Sequence, residues 1–165
     1  MPLENLMRDL AAELGLGDIR LEEDGGAQLA FGDDIQIDIS ASGEWPGINI
    51  TALVGAIPTD NREAVYSEML EANYQGLATG GAALCIDTVL GEVILSRHIA
   101  GENTDFEVFA VEVSRFFAAL TMWRERLQKG QIGSGDFEFN EDDDHATAAD
   151  EDPAPEPPGS GMISV

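Results

Sequence analysis

AQLAFGDDIQIDIS, residues 27–40, alternates in polarity around a short acidic turn. Ile35, Ile37 and Ile39 fall on one side of an extended chain and Gln36, Asp38 and Ser40 on the other, and Gly32, Asp33 and Asp34 separate this run from the one before it. Period-two alternation across a glycine-containing turn is the signature of an antiparallel hairpin with one face buried. Asp38, Asp33 and Asp34 are read as the solvent face and the turn rather than as a carboxylate site.

The neighbouring sequence extends this hairpin into a sheet. Ile48–Ile57 is rich in β-branched residues and ends at Pro58, so it supplies a third strand and completes a meander. AALCIDTV (82–89) and EVILSRHI (92–99) form a second hairpin, turning at Leu90 and Gly91. Helical spacing appears in three places. Leu3, Leu6, Met7, Leu10 and Leu14 follow Pro2 and stop at Gly15 and Gly17. A second helix starts near Thr59 or Asp60, with Glu63 placed for a capping box, and ends around Gly76. A third runs from Asn103 or Thr104 to Lys129, with Phe109, Val113, Phe116, Leu120 and Trp123 among its apolar stripe and Arg124, Arg126 and Lys129 at its dipole-favoured end. The expected fold is therefore α+β in the order α-β-β-β-α-β-β-α, with a largely antiparallel, twisted sheet.

The second helix carries more apolar surface than a surface helix needs. Val65, Met69 and Ala72 make one stripe, and Tyr66, Leu70, Tyr74 and Leu77 make another beside it. One stripe can pack on the chain's own sheet. The other calls for a second cover.

Charge divides the chain in two. Of its 165 residues 32 are Asp or Glu and eight are Lys or Arg, giving a net charge of −24, and residues 131–165 hold ten of the acids and none of the bases. Such a segment, rich also in Pro, Gly and Ser, buries too little apolar surface to offset chain entropy. Residues 1–130 are expected to be one α+β domain and 131–165 a disordered acidic tail. The charge repels nucleic acid and anionic lipid, so neither is expected as a partner. Cys85 alone cannot form an internal disulfide and suits a reducing compartment. The opening residues carry Glu4, Asp9 and Glu13 where a signal peptide needs a basic start, and no run spans a bilayer. A soluble cytoplasmic protein is expected.

No constellation for catalysis is present, and no enzyme and no cofactor are expected. His98 and His145 lack partners at metal-ligand spacing. Glu141–Asp144 lacks the glycine and terminal glutamate of a calcium loop. GLATGGAAL (76–84) lacks the lysine of a phosphate-binding loop. Cys85 is read as a buried core thiol. Trp45, in SGEWPG, is read either as a partner hot spot or as packing over the sheet edge.

Taken in order, the opening Leu6–Leu16, the LAFGDDIQIDI hairpin, ALVGAIP, MLEANYQG, the ALCIDTVLGEVILSRHI hairpin and the late WRERL helix resemble the class I type III secretion chaperones of the Tir-chaperone (CesT-type) family over residues 1–129. The resemblance implies a bacterial, cytoplasmic, acidic homodimer without ATPase activity. It would hold the N-terminal segment of one or more secreted effectors in a non-globular, secretion-competent state, with secretion-apparatus components as a further partner class. The acidic tail is not part of that pattern.

By the same resemblance the second helix is the dimer element, with Val65, Tyr66, Met69, Leu70 and Asn73 at the interface, so that a second copy covers the second stripe. The alternative is a monomer that buries the whole helix. The expected effector-binding patch is Leu3, Leu6 and Leu10 with Ile35, Ile37 and Ile39, residues that also suit a core. Exposed strand edges would add main-chain pairing. The competing function is an acidic inhibitor or immunity-type protein masking a basic site on a toxin or enzyme, which would be separated by its loss of affinity in high salt.

Overall fold

The computed structural model describes residues 2–15, 19, 21–23, 26–32, 34–43, 45–101 and 104–134. Three helices and five strands follow in the expected order: α1 (Leu3–Leu14), β1 (Ala27–Phe31), β2 (Ile35–Ala41), β3 (Gly47–Ala56), α2 (Arg62–Asn73), β4 (Ala83–Asp87), β5 (Glu92–Ala100) and α3 (Phe106–Gln128). A 3-10 segment, Tyr74–Thr79, continues from α2.

The strands make one antiparallel sheet in the order β1-β2-β3-β5-β4. One lateral row runs Leu29, Ile37, Ala52, Leu95 and Leu84 across all five strands, and every member is buried. The adjacent row on the opposite face runs Gln28, Asp38, Thr51, Ser96 and Ala83. The alternation in the sequence is thus the alternation of an apolar and a polar sheet face.

Helix α3 crosses β3 and β5 on the apolar face and α1 packs on α3. Its stripe Phe109, Val113, Phe116, Leu120 and Trp123 is buried, and the Trp123 indole N–H donates to the Ala78 carbonyl at 2.9 Å. A β-bulge between Leu53 and Gly55 lets α3 come close: a Cβ at Gly55 would lie 2.5 Å from Leu127 Cδ2. In α1 the buried residues are Leu6, Met7, Leu10 and Ala11, and Gly15, left-handed at φ 65°, closes the helix by donating to the Ala11 and Ala12 carbonyls.

Several expectations need correction. Helix α2 starts at Arg62 rather than near Thr59, because Asn61 turns left-handed there (φ 56°) and its side chain, instead of capping the helix, donates to the Gly133 carbonyl at 2.9 Å. It ends at Asn73 rather than Gly76. Strand β4 stops at Asp87, two residues early, because Asp87 Oδ1 accepts the N–H groups of Val89 and Leu90 and turns the chain. Helix α3 starts at Phe106, and Asn103 lies outside the described residues. Cys85 is exposed, since it occupies the polar-face position of its strand.

The chain is described for four residues past the expected boundary at 130. Gln131–Ser134 fold back on α2, where Ile132 is buried and the Gly133 N–H donates to Glu68 Oε2 at 2.6 Å. The remainder of the expected acidic tail, 135–165, lies outside the described residues, as does Asp33.

Candidate partner-binding surfaces

The two stripes of α2 have opposite fates. Val65, Met69 and Ala72 are buried in the chain's own core, with Met69 only 4% exposed. Leu70 is 71% exposed and Tyr74 74%, Leu77 is exposed as well, and Tyr66 is half-buried. Geometry explains the division. The Val65 side also carries Glu68, whose buried carboxylate accepts from Arg126 Nη2 of α3 at 2.7 Å, so this side of α2 is locked against α3.

Of the expected interface residues, Val65 and Met69 therefore face inward. Tyr66 and Leu70 lie on the outward side of α2, and Tyr74 and Leu77 are exposed in the 3-10 segment that follows, with left-handed Gln75 and Gly76 between them. Those last two are visible in the helical spacing but were not assigned to the interface.

Asn73 has a third role. Its Oδ1 accepts the Leu84 N–H at 2.8 Å and its Nδ2 donates to the Leu84 carbonyl at 3.1 Å. Strand β4 is an outer strand, so this amide occupies main-chain groups that would otherwise be open to a partner strand.

The expected effector-binding patch is mostly core. Leu6, Leu10, Ile37 and Ile39 are buried between the sheet and the helices, while Leu3 and Ile35 are half-buried. The same period-two pattern that marks a strand's apolar face marks a core face, and here the core claims it. Ile35 pairs across the hairpin with Phe31, whose ring centroid lies 4.8 Å from that of Phe117 of α3.

The other outer strand differs from β4. Strand β1 pairs with β2 on one side, and on its other side the bridge of Leu21 to Ala27 covers its first residue. Among the described residues nothing pairs beyond that, so Gln28–Phe31 form an open strand edge. Trp45 is 71% exposed, which rules out packing over the sheet edge within this chain. Its loop is pinned: the Ser42 N–H donates to the Gly47 carbonyl and the Gly101 N–H to the Pro46 carbonyl.

Among the described residues no group of three His, Cys, Asp or Glu is placed to hold a metal ion, and no helix is long and apolar enough to cross a membrane.

Comparison with known proteins adds the following. The family model of the Tir chaperone protein (CesT) family matches residues 5–124. A protein of Chlamydia pneumoniae is 28% identical over 131 residues, covering 78% of this chain and 98% of that one. Among solved structures, the HopA1–SchA chaperone–effector complex is similar with a TM-score of 0.60 at 14% identity, covering 74% of this chain and 92% of the matched one. The Yersinia pestis type III secretion chaperone SycH, solved with a stable fragment of YscM2, is similar with a TM-score of 0.58 at 15% identity, covering 74% and 99%. At these identities the structures establish a shared fold.

Proposed function

The chain belongs to the Tir chaperone protein (CesT) family, and from that membership we infer that it is a type III secretion chaperone that binds the N-terminal segment of a secreted effector and keeps it soluble and non-globular. The structural observation that carries the binding mode is the asymmetry of the sheet edges. On β4 the Asn73 amide caps Leu84, whereas on β1 the edge from Gln28 to Phe31 is unpaired among the described residues. An extended client segment adds to β1 by main-chain hydrogen bonds, which need no particular client sequence and no nucleotide. No enzymatic step is involved, and the setting is the bacterial cytoplasm.

The chaperone acts as a homodimer. The stripe of Tyr66, Leu70, Tyr74 and Leu77 is the self-association face, because four large apolar side chains on one helix-and-turn surface are better removed from water. A second copy covers them about a two-fold axis, and the inward pair Val65 and Met69 supports that face from behind.

Hydrogen exchange on the complex with an effector tests the reading. Amides of Gln28–Phe31 should slow on binding while those of β4 change little. Protection appearing on β4 or elsewhere, with β1 unchanged, would displace the client from the edge assigned here.

A further inference from the structure

Building on the assignment of the β1 edge as the client site, we propose that the client segment it takes up is cationic, with apolar side chains on its inward face and Lys or Arg on its outward face.

The inward half follows from the register. A strand added beside β1 continues the rows already present, and the inward row there is Ala27, Leu29 and Phe31, the first two buried and the third at the rim. Inward client residues therefore have to be apolar. Outward client residues lie beside Gln28 and Ala30, both exposed.

Charge decides the outward half. Glu22 and Glu23 are exposed at the Ala27 end of the edge, fixed there by the Glu22 N–H donating to the Gly26 carbonyl at 2.7 Å. Asp38 lies directly behind Gln28, which donates to its Oδ1 at 2.8 Å. Adjacent strands are spaced about 4.8 Å apart, so Asp38 sits about 10 Å from a client backbone, near the Debye length at physiological salt. At the Phe31 end Asp34 is already paired with Arg124 at 3.1 Å and adds little.

Among the described residues no spare cation offsets Glu22, Glu23 and Asp38, and Arg20 lies outside the described residues. Every described Lys and Arg except Arg62 already lies within 4.0 Å of a carboxylate of this chain. Arg124, which pairs with Asp34, also donates to the Leu53 carbonyl and is mostly buried. Arg62 is the first residue of α2. An acidic client would meet like charge at the Ala27–Gln28 end of the edge, from Glu22, Glu23 and Asp38, and a basic one would meet its complement there.

The test uses the full chain and three synthetic peptides with one inward apolar pattern and Lys, Gln or Glu at the outward positions. Affinities are measured by calorimetry at 50 and 500 mM NaCl. Each exposed pair is worth a factor of roughly 1.5 to 5, so the Lys peptide should bind about tenfold more tightly than the Gln peptide at low salt, with the gap closing at high salt. In the triple variant Glu22→Gln, Glu23→Gln, Asp38→Asn that ratio should fall to about one. Equal binding of the Lys and Gln peptides overturns the inference and leaves the strand-edge reading standing. A ratio that survives the triple variant places the attraction elsewhere in the chain, such as its acidic C-terminal residues, and also overturns it. Failure of all three peptides to slow exchange at Gln28–Phe31 removes the strand-edge reading as well.

Discussion

The side-chain amide of Asn73 holds both main-chain polar groups of Leu84, accepting its N–H at 2.8 Å and donating to its carbonyl at 3.1 Å. One residue of α2 thereby imitates a neighbouring strand at Leu84, on the outer side of β4. This explains why Asn73, at the boundary between α2 and the 3-10 segment, is half-buried rather than part of an exposed interface.

Replacing Asn73 with Ala removes both bonds and leaves the Leu84 groups without their partner. A loss of about 1–3 kcal/mol is expected, read as a lower midpoint in urea unfolding. Asn73→Asp should keep the acceptor and lose the donor, giving a smaller loss. The opened edge should also increase aggregation in light scattering. An unchanged midpoint for Asn73→Ala would show that water replaces the amide at no cost.

Leu70 and Met69 are neighbours in sequence with opposite surroundings. Leu70→Glu should convert the dimer to a monomer in sedimentation velocity while circular dichroism stays native, because the new charge meets water once the partner leaves. Met69→Glu places a carboxylate in the core and should cost several kcal/mol, enough to unfold much of the chain. A dimeric Leu70→Glu protein would move the interface off this stripe.

Glu68 is 5% exposed and is held by Arg126 Nη2 and the Gly133 N–H. Removing one member of such a buried pair typically costs about 3–5 kcal/mol because the other charge is left stranded. Glu68→Ala and Arg126→Met should each show a loss of that order in chemical denaturation. The double variant should lose less than the sum of the two.

Two truncations divide the C-terminal residues. A chain ending at Gly130 loses the burial of Ile132, worth about 1.5–3 kcal/mol, together with one bond to Glu68, and should melt at a clearly lower temperature. A chain ending at Ser134 keeps both and should melt close to the full-length protein. Equal melting temperatures for the two truncations would mean that Gln131–Ser134 add nothing to stability.

Much of this was legible from local pattern. Ile35, Ile37 and Ile39 alternating with polar residues, and Phe109, Val113, Phe116, Leu120 and Trp123 at helical spacing, are consequences of backbone geometry over a few residues, so element type and order could be read directly. Element ends were less legible where a side chain intervened, as Asp87 does at the end of β4 and Asn61 at the start of α2.

Periodicity alone set the order of helices and strands and the presence of two apolar stripes on α2. It could not say which stripe turns inward, because both are apolar. That depended on Glu68 meeting Arg126, a residue 58 positions later, and Gly133, 65 positions later. Nor could local pattern tell an unpaired edge from a capped one, since β1 and β4 are both short strands of five residues. Placing β5 between β3 and β4 brought Leu84 of β4 to Asn73 and put β1 at the far side of the sheet, where Gln28–Phe31 are unpaired among the described residues. Pairings between distant residues fix which surfaces remain available, and a single chain's local pattern carries no record of them.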